Sequence, residues 1–96
     1  MNGLIVAAIN QRRLLKLTYS AGNRIVEPHV YGRDGAGKEL LRCYQIAGES
    51  MSQERAGWKL LRASDATSVE VLDVRFERRT GYNPSDPAIH EVYACI

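Results

Sequence analysis

A chain of 96 residues, 45% hydrophobic and 25% charged, has the size and composition of one globular domain and is too short for two. Lysine and arginine number 13 against 11 acidic residues, so the net charge of +2 excludes a nucleic-acid coat or a membrane binder held by bulk charge alone. Little room is left for a deep enzyme cleft beside a core.

Leu4, Ile5, Ala8 and Ile9 recur at helical spacing, which predicts a helix over residues 3–13 with Asn2 as N-cap and Arg12 and Arg13 at its C-terminus. No basic region precedes this apolar stretch, and Asn10 to Arg13 ends it too early for a membrane span, so the chain reads as cytoplasmic and intact from Met1. The period then changes. Leu15, Leu17 and Tyr19 alternate with polar residues as a strand does, and Ala21-Gly22-Asn23 reads as a tight turn. A second strand runs from Arg24 to Tyr31, with Pro28 placing it at an edge or bending it. The glycines at 32, 35 and 37 mark a hairpin loop, and Glu39 to Ile46 forms a third strand. Residues 47–57 lack an apolar period and read as a surface loop. Trp58 to Arg62 gives a fourth strand with Trp58 as a core anchor, residues 63–67 a short turn, and Ser68 to Phe76 a fifth strand. After the turn at Tyr82 to Pro87, Asp86 as N-cap and Pro87 at the first helical position predict a C-terminal helix with Ile89, Val92, Tyr93 and Ile96 on one face. The fold class is mainly β with flanking helices: five strands in a bent antiparallel sheet or a small SH3- or Sm-like barrel. Residues 1–76 form the helix and barrel, and 77–96 the turn and last helix.

This order of pieces resembles the WYL domain. The carrying residues are the strand ending in Tyr19, then Arg24-Ile25-Val26-Glu27-Pro28-His29, then Cys43-Tyr44 on the third strand. Trp58-Lys59-Leu60-Leu61-Arg62-Ala63 looks like the family's aromatic-Arg-Leu-Asp-Arg-Ile segment, and Val69 to Asp73 with Phe76 looks like its closing strand. The likeness spans roughly residues 4–76. It departs at the naming tripeptide, where Glu39-Leu40-Leu41 keeps only a leucine, and at Leu61, which stands for the aspartate. Helix-turn-helix domains usually precede WYL domains, and none is found within these 96 residues; the expected partners are a second copy of the chain or a separate DNA-binding chain. The resemblance implies an SH3- or Sm-like regulatory or sensing module, associated with transcription. Its ligand would be a negatively charged nucleotide or nucleic acid, held on a basic and aromatic face. By position, Tyr19, Arg24, Lys59 and Arg62 carry over, and Arg42 is expected on the same rim.

Arginine suits phosphate because its planar fork gives two parallel charge-assisted bonds. The competing reading of Arg24 and Arg62 is a solvated strand residue paired to Glu27 or Asp65. Tyr19, Tyr31 and Tyr44 offer stacking faces, although Tyr19 is in phase with the inward Leu15 and Leu17. Arg75, Arg78 and Arg79 form a second basic cluster, read as solvated. Cys43 and Cys95 fit neither a zinc spacing nor a redox motif, which leaves a single disulfide or, favoured without a secretory signal, two buried free thiols. His29 and His90 match no metal-ligand motif, and the Gly32–Gly37 loop lacks the ending of a phosphate loop. Cys43 with His29 has neither an orienting third group nor an oxyanion hole. The expectation is a binding domain that is not an enzyme, with no metal and no cofactor. The alternative is a protein-interaction or homodimerising module.

Overall fold

The computed structural model describes residues 1–48 and 56–96; most of the expected 47–57 loop lies outside the described residues. Helix α1 (Gly3–Gln11) starts where the Asn2 side chain accepts from the Leu4 amide at 2.9 Å. It stops two residues before the expected end. Arg12 adopts a left-handed conformation, φ 54°, and its carbonyl accepts from Phe76 N at 2.9 Å, so the chain turns straight into β1 (Arg13–Tyr19). The strands that follow are β2 (Gly22–Arg33), β3 (Glu39–Gly48), β4 (Gly57–Arg62), β5 (Ser68–Arg75) and β6 (Glu91–Cys95), with a 3-10 turn at Ala63–Asp65.

All pairings are antiparallel, in the order β4-β3-β2-β1-β5, with β6 added to β2. Strand β2 organises the sheet. β3 follows one edge from Arg24 to Arg33, while the other edge is shared: β1 takes it up to Val26 and β6 from Val30 to Arg33. Pro28 therefore sits in a central strand, and the bending alternative holds. The register to β3 shifts between Pro28 and Val30, and no β1 or β6 residue stands opposite Pro28. Every residue from Val26 to Gly32 is buried, because both faces of β2 are covered. On one face Ile5, Ala8 and Ile9 of α1 pack with Leu15, Leu17, Tyr31, Leu41 and Cys43. On the other, Tyr82 and Ile89 pack on Val30 and Leu40.

Two expectations about the architecture need correction. First, the barrel is not closed. β4 and β5 share no ladder; residues 63–67 carry the chain from one to the other, and Thr67 N donates to Thr18 O of β1 at 2.7 Å. Second, no C-terminal helix forms. The cap signal at Asp86 is real, since its side chain accepts from Ala88 N at 3.0 Å, but it serves a single turn. Residues 91–95 instead fill the open edge of β2, a better partner for Val92, Tyr93 and Cys95 than a helix of barely ten residues would be. The approach is so close that a side chain at Gly32 would collide with the Glu91 carbonyl. Trp58 is only half-buried, although its ring meets His29 edge-on at 4.9 Å. The β1–β2 turn lies at Ser20–Ala21, one residue earlier than expected. Both cysteines are free, Cys43 buried but Cys95 exposed.

Candidate functional site

Three of the five expected site residues meet in one place. Tyr19 ends β1, Arg24 lies near the start of β2 and Arg62 ends β4, and all three line a pocket of about 460 Å³ with Leu60 and Asp65. The Arg24 guanidinium lies 5.5 Å from the centre of the Tyr19 ring. The Tyr19 hydroxyl donates to the Arg62 carbonyl at 3.1 Å, which ties β1 to the end of β4. Burial pushes the Tyr19 phenol up to about 12; Arg24 opposes this and Asp65 adds to it, so the hydroxyl stays a donor at neutral pH.

Arg24 is the structural centre of this pocket. It is only 8% exposed, and its Nη1 donates to Gln45 Oε1 at 2.9 Å. Gln45 is fully buried on β3. Orienting a guanidinium on a buried amide fixes the fork before any ligand arrives, which lowers the ordering cost of binding. Gln45 went unnoticed in the sequence; its signal is a polar residue continuing the inward phase of Leu41 and Cys43. Arg24 does not pair with Glu27, because Glu27 is engaged elsewhere.

Arg42 and Lys59 do not join the pocket. Alternation turns Arg42 away from the face of Leu41 and Cys43, and Asp86 holds it at 2.6 and 3.3 Å. The hydrogen bond from Arg42 keeps the Asp86 carboxyl below its usual range. Lys59 stands opposite Cys43 across the β3–β4 pair and is not among the pocket-lining residues.

The cluster near residue 79 is also not simply solvated. Arg79 grips Glu27 with two bonds of 2.7 and 3.1 Å and lies 3.7 Å over the Tyr44 ring, while Arg78 sits 5.1 Å over Tyr82. They border a larger cleft of about 540 Å³, with Glu77 and Thr80. Its two arginines face two glutamates, so it has no excess positive charge. The smaller pocket sets two arginines against Asp65 alone and is the better anion site.

His29 locks the strand junction beneath that cleft. It is fully buried among Trp58, Phe76 and Tyr82, apart from the cluster that contains Cys43. Its Nδ1 donates to the Glu27 carbonyl at 2.9 Å, and its Nε2 accepts from Arg79 N at 3.1 Å. Both ring nitrogens are thereby occupied in the neutral form. Burial lowers its pKa from the ordinary 6.5, the nearby arginines assisting and Glu27 opposing. The unfolded chain takes up this proton first. Stability is therefore full above about pH 6.5 and falls as the pH drops below it. Thermal unfolding between pH 7.5 and 5 is expected to show a falling midpoint in the parent and a flatter profile in His29→Gln. The Cys43 thiol is pushed up to about 12 by burial and is no nucleophile at neutral pH.

Among the described residues no three His, Cys, Asp or Glu side chains gather to hold a metal, and no helix is long and apolar enough to cross a membrane. Comparison with protein-family models, curated proteins and solved structures found no match to this chain.

Proposed function

We propose that this chain is a WYL-like sensing or regulatory domain that binds a nucleotide, free or within a single strand, at the Tyr19–Arg24–Arg62 pocket. The observation that carries the reading is the convergence of these residues from three strands, with the Arg24 fork held by buried Gln45. Arg24 and Arg62 clamp phosphate oxygens, and the Tyr19 wall supports the ligand's ring. The reading is one of binding, not catalysis: the Cys43 thiol is held protonated and both His29 nitrogens are engaged in structure. On this reading the domain works in the cytoplasm, with a second copy of the chain or a DNA-binding chain as its partner.

The test is a titration with a nucleotide panel and labelled oligonucleotides. Arg24→Ala and Arg62→Ala should each lose about 1.5–3 kcal/mol, or roughly ten- to a hundred-fold in affinity. Lys38→Ala, on the exposed β2–β3 loop, should match the parent. A steep salt dependence marks a single strand as ligand, and a shallow one a free nucleotide. No binding by the parent, or equal losses in all three variants, leaves the self-association reading. That reading is favoured by Val74 and Val92, which are 53% and 49% exposed on β5 and β6.

A further inference from the structure

Resting on that reading, the remaining side chains of the pocket narrow its ligand. Asp65, on the 3-10 turn, lines the pocket with Arg24 and Arg62. It lies within electrostatic reach of the Tyr19 hydroxyl, and among the described residues its carboxylate forms no hydrogen bond or ion pair. For a plain anion such as phosphate, a carboxylate here is a liability, because like charges repel. A lining of two arginines and one carboxylate suits a ligand that carries both an anion and N–H donors. Leu60 supplies the third property. It is 40% exposed at the pocket wall, an apolar surface against which a flat ring can lie.

A carboxylate has two acceptor oxygens side by side and no donor. Guanine matches it, since N1–H and the N2 amino group point the same way on one edge. Adenine presents the bare N1 lone pair at that place, cytosine the bare N3, and thymine or uracil a single N–H between two carbonyls. We propose that the pocket selects guanine nucleotides. Asp65 is then the specificity-determining residue, taking the N1–H and N2–H donors, while Arg24 and Arg62 hold the phosphate and Leu60 supports the base.

The experiment is calorimetric titration of the full chain with GMP, IMP and AMP, in the parent, Asp65→Asn, Asp65→Ala and Arg24→Ala. The parent should bind GMP about tenfold or more tighter than AMP. IMP, which keeps N1–H but lacks the amino group, should fall between. Asp65→Asn presents one acceptor and one donor, matching the adenine edge, so its preference should move toward AMP. Asp65→Ala should lose discrimination while retaining phosphate-dependent binding. Asp65 is exposed, and unchanged thermal unfolding of its variants confirms that they fold. Equal binding of GMP and AMP by the parent, weakened for both in Arg24→Ala, overturns the guanine assignment and leaves the anion pocket standing. Absence of binding, or indifference to Arg24→Ala, overturns both. A seven-nucleotide strand with one guanine, compared with the same strand carrying adenine, separates the two sources of the base. Tighter binding to the strand than to GMP assigns a nucleic acid, and the reverse a free nucleotide.

Discussion

A chain truncated after His90 loses its cooperative thermal transition. β6 pairs with β2 from Val30 to Arg33, and beyond it Ile96 N donates to the His29 carbonyl at 2.9 Å. Ala94 belongs to the core beneath α1, and Tyr93 packs edge-on against Tyr31 at 5.3 Å. Without the strand, one edge of the central β2 faces water and the Tyr31 ring loses its neighbour. Each ladder hydrogen bond exchanged for water costs about 0.5–1.5 kcal/mol net, the apolar cover over Tyr31 is lost as well, and the net stability of a domain is only about 5–15 kcal/mol. Near-UV circular dichroism on heating checks this. The expected result is no sigmoidal transition; a midpoint within a few degrees of the parent would show β6 to be an appendage.

The second large effect is Leu41→Ala. Leu41 is fully buried in the middle of β3, in register with Tyr31 on one side and Leu61 on the other. Removing its branched end leaves a hole between three strands that cannot collapse without shifting the sheet, at a cost of about 2–5 kcal/mol. At about 4–8 °C per kcal/mol for a domain of this size, the midpoint should fall by roughly 10 °C or more. The effect also bears on the pocket, because Leu41 leads along the same strand face to Gln45, which orients Arg24. Leu60→Ala on the neighbouring strand, 40% exposed, should move the midpoint far less. Equal shifts in the two variants would mean that the core is not where the packing places it.

β1 and β3 were legible because each keeps one inward phase, Leu15 and Leu17 on β1 and Leu41 and Cys43 on β3; β2, buried on both faces, was legible from its strand-forming Ile25, Val26, Val30 and Tyr31. The last element was not. Asp86 and Pro87 carry a true helix-start signal, but local signals cannot report that β2 leaves half an edge open between Val30 and Arg33. In the candidate site, Tyr19, Arg24 and Arg62 were named through the WYL resemblance and not from their spacing; the fold brings them to one pocket because they lie near strand ends that the hairpins return to one end of the sheet. Arg42 failed by one step of alternation, which sends it across the sheet to Asp86. The Glu27–Arg79 pair was hidden because its partners are 52 residues apart and joined only by the final fold. Gln45 was hidden because a buried amide looks like an interruption of the strand until its partner, Arg24, is known.

The most direct test of the central claim is a heteronuclear NMR titration of the chain with inorganic pyrophosphate, read at the backbone amides and arginine side chains. Saturable shifts confined to residues 19–24 and 60–66, lost in Arg24→Ala, are the predicted result. Shifts centred instead on Arg78, Arg79 and Thr80, or none that saturate, would contradict it.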